Sequence, residues 1–263
     1  MNSGAPLRIL HIMRAPVGGL FRHVVDLARE QTARGHRVGI VADSNTGSPV
    51  AAETLDALNK SIALGVTRVP MSRQIGLSDR SALAHVALRA VETQADVLHG
   101  HGAKGGAYAR LAGGPALRVY TPHGGSLFYS PYSPMGLLYF SVERWLRSRT
   151  DLALFESAFA GEAFRQFVGE PPFSRVVHNG ISKSELEPVS PAADAADFVF
   201  IGELRWRKGI DTVLEALAEL SSEGWQGLEH DVGQGLLSGG DHQQAARLER
   251  RPRLRLTRKG DPR

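Results

Sequence analysis

The chain alternates between two hydrophobic patterns from its start to about residue 180. Short apolar runs predict strands, and amphipathic stretches between them predict helices. The strands are predicted at Leu7–Ile12, Val38–Ala42, Val66–Val69, Val97–His99, Arg118–Thr121, Leu152–Phe155 and Arg175–His178, and the helices near 19–34, 50–62, 78–94, 103–112, 135–149 and 157–168. Such alternation is typical of βαβ units, so the sequence predicts an α/β domain with a parallel sheet. Gly35 is expected to end the first helix, and Ser78 and Ser157 to cap theirs.

The pattern changes twice after residue 181. Residues 182–197, "SKSELEPVSPAADAAD", have two prolines and no periodicity, which predicts a linker. Residues 198–222 then supply one strand, a basic loop and an amphipathic helix, as at the start of a second α/β domain. Residues 223–263 show no sustained apolar face, and we expect them to be disordered or poorly packed. The sequence therefore predicts a first domain over 1–181 and an incomplete second one.

Composition narrows the class of protein. There is no cysteine, which excludes disulfides, a thiol nucleophile and thiolate metal sites, and fits a reducing cytoplasm. The net charge is +4, but residues 247–263 alone hold eight Lys/Arg against two Asp/Glu. The basic character therefore belongs to the tail, and no nucleic-acid partner is expected for the rest.

Neither a membrane span nor a secretion signal is expected. No segment reaches the roughly 18 apolar residues that a span needs, and "MNSGAPLRILHIM" lacks the pattern of a signal peptide. The predicted helix "SPMGLLYFSVERWLRSR" is apolar on one side and basic at its end. Two interpretations stay open for it: an ordinary core-facing helix, or peripheral contact with a membrane at the inner face.

Polar and small residues follow most of the predicted strands. Ligands of parallel α/β sheets bind beyond the carboxyl ends of the strands. The side chains collected at that edge are His99, His101, His123, Glu156, His178 and Asn179. Their convergence predicts a binding site there.

Three loops at this edge have both a structural and a functional interpretation. Gly18–Gly19 before the first helix would let backbone N–H groups approach an anion, or would only make a tight turn. His123, between a proline and two glycines, would hydrogen-bond a sugar or phosphate and shuttle a proton, or would brace the loop. The loop "GELRWRKG" would hold a diphosphate through Arg205, Arg207 and Lys208, or would be a solvated turn.

A metal site and a dinucleotide site are two further possibilities at this edge. We interpret His99 and His101 as facing opposite sides of their strand, and no metal site is expected there. Asp43 ends the second predicted strand, where a dinucleotide fold would hold a ribose. The loop before it lacks G-x-G-x-x-G, so an NAD(P)-binding oxidoreductase is the weaker alternative.

Five stretches then occur in an order that points to a family. They are "GGLFRHVVDLAREQTARGHRVGIVAD", "DVLHGHGAKGGAYAR", "VYTPHGGSL", "VVHNGIS" and "FVFIGELRWRKGIDTVLEAL", within residues 7–221. In these stretches the chain resembles the retaining glycosyltransferases of family 4. Their GT-B fold consists of two facing Rossmann-like domains with doubly wound parallel sheets.

The resemblance implies an activity. It implies sugar transfer with retention from a nucleotide-sugar donor to a glycan or lipid-linked acceptor, in polysaccharide biosynthesis, without a metal ion or other cofactor. The first domain would shape the acceptor side, and the second would bind the nucleotide. Gly18 and Gly19 would lie against the donor phosphates and the acceptor, His123 would contact the transferred sugar, and Lys208 would hold the diphosphate. The other candidates are His101, Gly124, Glu156, Asn179 and Arg205.

The chain departs from this family in two places. The family usually has arginine after the glycine of the last motif, where this chain has Glu203 and then Arg205. The family also continues with further βα units and a pair of glutamates that binds the donor, and nothing from Gln226 onward matches them. We interpret the end of the chain as frameshifted or truncated. A second hypothesis is a non-catalytic binding fragment, or one half of a split enzyme completed by a separate C-terminal domain.

Overall fold

Seven parallel strands form a single sheet. The computed structural model describes residues 5–190 and 208–222. The strands are β1 Arg8–Met13, β2 Arg37–Asp43, β3 Gly65–Val69, β4 Val97–His101, β5 Leu117–Thr121, β6 Leu152–Phe155 and β7 Ser174–Val176. They lie in the order β3-β2-β1-β4-β5-β6-β7, so the predicted Rossmann-like, doubly wound sheet is confirmed.

Helices connect the strands, as the sequence predicts. They are α1 Gly18–Ala33, α2 Pro49–Asn59, α3 Ser78–Glu92, α4 Gly102–Leu111, α5 Pro134–Arg147 and α6 Ala158–Phe167. A further helix, α7 Ile210–Ser222, follows β7 in the sequence. The hydroxyl of Ser157 caps α6 by accepting a hydrogen bond from the Ala160 N–H. The predicted cap of α3 is wrong, because Ser78 is already helical and Leu77 precedes it without a side-chain bond. No described helix has the length and apolarity needed to cross a bilayer.

The chain divides into two units, Met1–Leu186 and Glu187–Arg263. The first contains the whole sheet and α1 to α6. In the second, the described residues form α7 together with short flanking segments. The predicted strand at 198–201, Arg205 and the segment 223–263 lie outside the described residues. The predicted linker and the second domain therefore stay predictions.

The two faces of the sheet bury different surfaces. Leu10 and Ile12 of β1 belong to an apolar cluster that includes Val86 of α3 and Tyr108 of α4. Met13 belongs to a second cluster, formed with α1, β2 and α2. His11 alternates with Leu10 and Ile12, so it lies on the α1 side of the strand. One face of β1 thus buries Leu10 and Ile12 in an apolar cluster, and the other carries a buried imidazole.

Helix α4 lies unusually close to the sheet because three of its contact positions are glycine. A side chain at Gly105 would collide with the backbone carbonyl of Ile12 in β1, and one at Gly106 with the ring of Tyr120. A side chain at Gly100 of β4 would collide with the backbone of α4. The segment "HGHGAKGG" is therefore partly a packing motif, in which glycine permits backbone-to-backbone contact.

A buried ion pair joins α4 to α5. The Arg110 guanidinium lies 2.9 Å from the Glu143 carboxylate, and both side chains are almost fully excluded from solvent. Tyr120 of β5 donates its hydroxyl to the same carboxylate, and Arg110 stacks on the Tyr120 ring. Buried charges need such partners, since an unpaired one is strongly destabilising.

The approach of α4 gives a stability prediction. We expect Gly105→Ala to lower the free energy of unfolding by about 1–3 kcal/mol or more, because the new methyl group overpacks a rigid backbone contact. Gly19→Ala is the matched control, since an added methyl meets nothing within 4 Å in α1. Urea unfolding measures both. A neutral Gly105→Ala would contradict the close approach.

Candidate functional site

The crevice beyond β1 and β4 is where the sheet reverses its strand order. β1 continues to β2 on one side, whereas β4 continues to β5 on the other, and such a switch point opens a cleft at the carboxyl edge. His101 ends β4, and α1 begins at Gly18 after β1. The predicted site residues of the first unit therefore come from segments that meet at this edge.

His123 and Glu156 form the polar centre of this edge. The Nδ1 atom of His123 lies 2.5 Å from a Glu156 carboxylate oxygen. Burial raises the pKa of Glu156, but hydrogen bonds from His123 and Asn179 outweigh it, and the pKa falls below its usual value. Three residues that the sequence placed in the site are thus brought into contact.

The backbone at His123 is in an uncommon conformation. Its φ angle is 52°, in the left-handed region that few residues other than glycine adopt, and Gly124 follows with 76°. Strained residues of this kind cluster at functional sites. The sequence motif "TPHGGS" therefore forms a turn that directs the imidazole inward.

His99 and His101 face the same side of β4, contrary to expectation. Their ring centroids lie 4.0 Å apart. The strand extends to His101, and side chains two residues apart in a strand share a face. The interpretation that they point in opposite directions is wrong.

Two histidines that sequence reasoning missed complete the cluster. His11 of β1 pairs in register with His99 of β4, and its Nδ1 lies 3.0 Å from Nε2 of His101. His23 of α1 lies with its ring centroid 5.1 Å from that of His123. A polar residue within a buried strand was the available signal for His11.

Hydrogen bonds link the cluster into a chain. Gln31 accepts from His11 Nε2 at 2.8 Å, and His101 Nδ1 lies 3.0 Å from His123 Nε2. His99 Nε2 bonds instead to the hydroxyl of Thr121 at 2.9 Å. Both ring nitrogens of His123 are thus engaged, one by His101 and one by Glu156.

Burial keeps the inner imidazoles neutral. It lowers the pKa of His11 to about 4, even though the bond to Gln31 opposes the shift. Burial, reinforced by the neighbouring histidines, lowers the pKa of His99 and His101 well below the usual value. The pKa of His23 is lowered by burial and then by His123. Each of these neutral imidazoles keeps one nitrogen lone pair that can accept a hydrogen bond or bind a cation.

Spacing alone is compatible with a metal ion. Each of two histidine groups brings one nitrogen per residue within 4.8 Å of the others. The groups are His11, His99 and His101, and His23, His101 and His123. The geometric reason for expecting no metal ligands at His99 and His101 is therefore gone.

Helix α1 presents a bare N-terminus at the same edge. Gly18 has a φ of 62°, and Val17 at the N-cap gives no side-chain hydrogen bond. Side chains added at Gly18 or Gly19 would meet nothing within 4 Å. The helix thus begins without a side-chain cap next to two uncrowded glycines, an arrangement that suits an anion at a helix N-terminus.

A cavity of about 510 Å³ opens next to His101 and His123. Its walls are mainly apolar and aromatic, with Leu83, Tyr129, Tyr139, Val142 and Trp145 among them. The lining comes from α1, α3, α4 and α5 and from the loops after β1, β3 and β5. The cavity is large enough for a small-molecule ligand.

The rim of this cavity is basic. Arg14, Arg73 and Arg80 line it, and within residues 5–190 and 208–222 their side chains form no hydrogen bond or ion pair. Lys104, by contrast, is held 2.5 Å from the Asp79 carboxylate. Three guanidinium groups thus remain available to an anionic ligand.

The comparison with known proteins fits this geometry. The sequence profile of Glycosyltransferase Family 4 matches residues 17–185, which is more than half of the chain. The chain belongs to glycosyltransferase family 4. No curated protein sequence matches it significantly.

Solved glycosyltransferases share the fold of this family 4 chain. A glycosyltransferase from Rickettsia africae superposes with a TM-score of 0.70 at 14% identity, covering 97% of this chain and 69% of its own. HepE of Anabaena, solved with UDP and glucose, gives 0.68 at 21% identity, covering 96% and 69%. Sucrose-phosphate synthase from Thermosynechococcus elongatus gives 0.64 at 17%, covering 87% and 62%. The chain thus spans 62–69% of these proteins.

The two remaining candidates of the family 4 motif lie beyond the first unit. Lys208 is described and exposed, and it belongs to the second unit. Arg205 lies outside the described residues. Their assignment to a diphosphate stays a prediction.

Asp43 is a structural residue in this family 4 domain. It is fully buried, and its carboxylate accepts hydrogen bonds from the N–H groups of Asn45 and Met71 and the hydroxyl of Thr46. Both oxygens are thus committed to the turns after β2 and β3. This geometry removes the reason for an NAD(P)-binding oxidoreductase.

A substitution of Asp43 distinguishes its structural role from a role in binding a dinucleotide. We expect Asp43→Ala to lower the free energy of unfolding by about 1–3 kcal/mol, because the buried N–H of Met71 loses its acceptor. Asp56→Ala, at an exposed position of α2, should be nearly neutral. Chemical denaturation gives both values. If the native chain bound NAD(H) tightly and Asp43→Ala abolished binding without loss of stability, the structural role would be refuted.

Proposed function

We propose that the first unit is the acceptor-binding part of a retaining glycosyltransferase that uses a nucleotide-sugar donor. The acceptor would be a lipid-linked phosphate or diphosphate, rather than a free glycan, and the product would enter polysaccharide biosynthesis. The transfer would need no metal ion, because helix N-termini and protein cations stabilise the departing diphosphate.

The observation that carries the acceptor assignment is the apolar cavity with its basic rim. Tyr129, Tyr139 and Trp145 suit a hydrocarbon chain, while Arg73 and Arg80 suit phosphate oxygens. A free glycan would expose few apolar groups to such walls. His123 lines the same cavity, so an acceptor there would lie next to the residue proposed to contact the sugar.

Peripheral membrane contact at the cytoplasmic face is consistent with this acceptor. Met135, Leu137, Leu138 and Trp145 of α5 are each about half exposed, and Arg144 and Arg147 lie in its last turn. Apolar residues next to cations are the pattern of helices that lie on anionic membranes. The same helix also contributes Phe140 and Leu146 to the interior. One face of α5 therefore packs against the domain, and the other is exposed.

The split-enzyme hypothesis remains a second candidate. Under this hypothesis a separate polypeptide would supply the glutamate pair that binds the donor in this family. Whether the enzyme is one polypeptide or two, the sugar transfer proposed above is that of the complete enzyme.

Binding of an amphiphile tests the acceptor assignment. We expect dodecyl phosphate to bind more tightly than inorganic phosphate, which lacks the chain, or dodecyl glucoside, which lacks the charge. Arg73→Gln with Arg80→Gln should weaken dodecyl phosphate about tenfold or more. Arg37→Gln, exposed at the amino end of β2, should not. Equal affinity for both dodecyl compounds in calorimetry would contradict the anionic site.

Transfer by the chain itself is a separate test. We expect the 263-residue polypeptide to show little or no transfer from nucleotide sugars. Loss of even one preorganised hydrogen-bond donor that stabilises the transition state lowers the rate of an enzyme about a hundredfold or more. The assay measures labelled sugar in the lipid phase. Clear turnover by the chain alone would refute both this expectation and the split-enzyme hypothesis.

A further inference from the structure

Three of the clustered histidines converge from three separate elements. His23 comes from α1, His101 from the end of β4, and His123 from the turn after β5. One ring nitrogen of each lies within 4.8 Å of the other two, and His101 Nδ1 and His123 Nε2 lie 3.0 Å apart. His101 and His123 also line the cavity, so the group borders an accessible space.

Outer partners decide which nitrogens carry protons. The Glu156 carboxylate accepts from Nδ1–H of His123, so in a ring with a single N–H hydrogen the lone pair is on Nε2. At the other end, the Gln31 oxygen accepts from Nε2–H of His11, so Nδ1 of His11 accepts from Nε2–H of His101. Nδ1 of His101 is then left with a lone pair as well.

These two lone pairs face each other. The chain from Gln31 to Glu156 has four contacts, and one hydrogen on each of its three imidazoles satisfies three of them. The contact left without a hydrogen is the one between His101 Nδ1 and His123 Nε2, where two lone pairs at 3.0 Å would repel. A cation at that position, either a proton or a metal ion, removes the repulsion.

The third histidine favours a metal ion over a single proton. Among the described residues the His23 ring has no hydrogen-bond partner, so its nitrogens are available. A carboxylate behind a ligating histidine, here Glu156, is the usual outer partner of zinc sites.

We propose that His23, His101 and His123 form a binding site for a transition-metal dication such as Zn²⁺. Imidazole nitrogen suits Zn²⁺, and three histidine ligands leave a fourth position for water or a ligand from the cavity. Gln31, His11 and Glu156 are the positioning residues, because they fix the tautomers of His101 and His123.

This site goes beyond the proposed transfer reaction, which uses no metal. A dication on His123 would occupy the side chain that is proposed to contact the transferred sugar. The metal would therefore act as an inhibitor that competes with the sugar for the same side chain.

Zn²⁺ binding by the full chain is the primary test. We expect one Zn²⁺ per chain by calorimetry, and His23→Gln or His123→Gln should weaken it more than about a hundredfold, because a ligand is lost. Glu156→Gln should weaken it about ten- to a hundredfold, as expected for an outer partner. His85→Gln, on the exposed surface of α3, is the matched control and should leave binding unchanged.

A second pair of variants tests which histidine group binds. His99 belongs only to the other group, and His23 only to the proposed one. Binding that survives His99→Gln but is lost in His23→Gln supports the proposal, and the reverse overturns it. Circular dichroism confirms folding, and if the buried His99→Gln chain fails to fold, the half-buried His23 variant decides alone.

Nitrogen-15 spectra of the histidine rings identify the occupant. With Zn²⁺ we expect the signals of His101 Nδ1 and His123 Nε2 to shift, while those of His85 stay unchanged. Absence of Zn²⁺ binding, with His123 protonated on both nitrogens, would overturn the proposal in favour of a proton. Equal Zn²⁺ binding by the native chain and His23→Gln would overturn it too. Neither result depends on transferase activity, so the proposed function stands or fails separately.

Discussion

The backbone contact between α4 and the centre of the sheet is the constraint on which the rest of this domain depends. Gly105 and Gly106 let the helix lie directly on β1 and β5, and Gly100 removes the side chain that would separate it from β4. Helix α4 can therefore begin at Gly102, immediately after His101 ends the strand. This tight connection aims His101 at the crevice and places the start of α4 in the cavity wall. Close packing of α4 on one face of the sheet thus fixes the position of His101 on the other face.

The two faces of the central strands follow different rules. Against α3 and α4 the surface is apolar, and the charge buried there, Arg110, is neutralised by Glu143. Against α1 the surface holds imidazoles, which satisfy one another through hydrogen bonds. A buried polar network is stable only when its members are paired. His11 therefore belongs as much to the core as to the site.

The sequence was a good guide to the sheet because each strand is a short apolar run between turn residues. It was a poor guide to the cluster. The sequence interpretation ends β4 at His99 and turns His101 to the opposite side, whereas the strand reaches His101 and residues two apart in a strand share a face. His11 and His101 are 90 residues apart, and only the pairing of β1 with β4 brings them together. Asp43 occupies the place of a ribose ligand, but the carboxylate is taken by a backbone N–H after β3.

The pairing of His11 with His99 also bears on how the chain folds. A slip of one residue between β1 and β4 would turn both histidines of β4 toward the apolar cluster. It would also bring a side chain to the position of Gly100, where α4 has no room. Neither error can be accommodated locally, so the strands have a single permitted alignment. Because β1 and β4 lie far apart in the sequence, this single alignment depends on non-local contacts, and folding rates in general fall as such contacts increase.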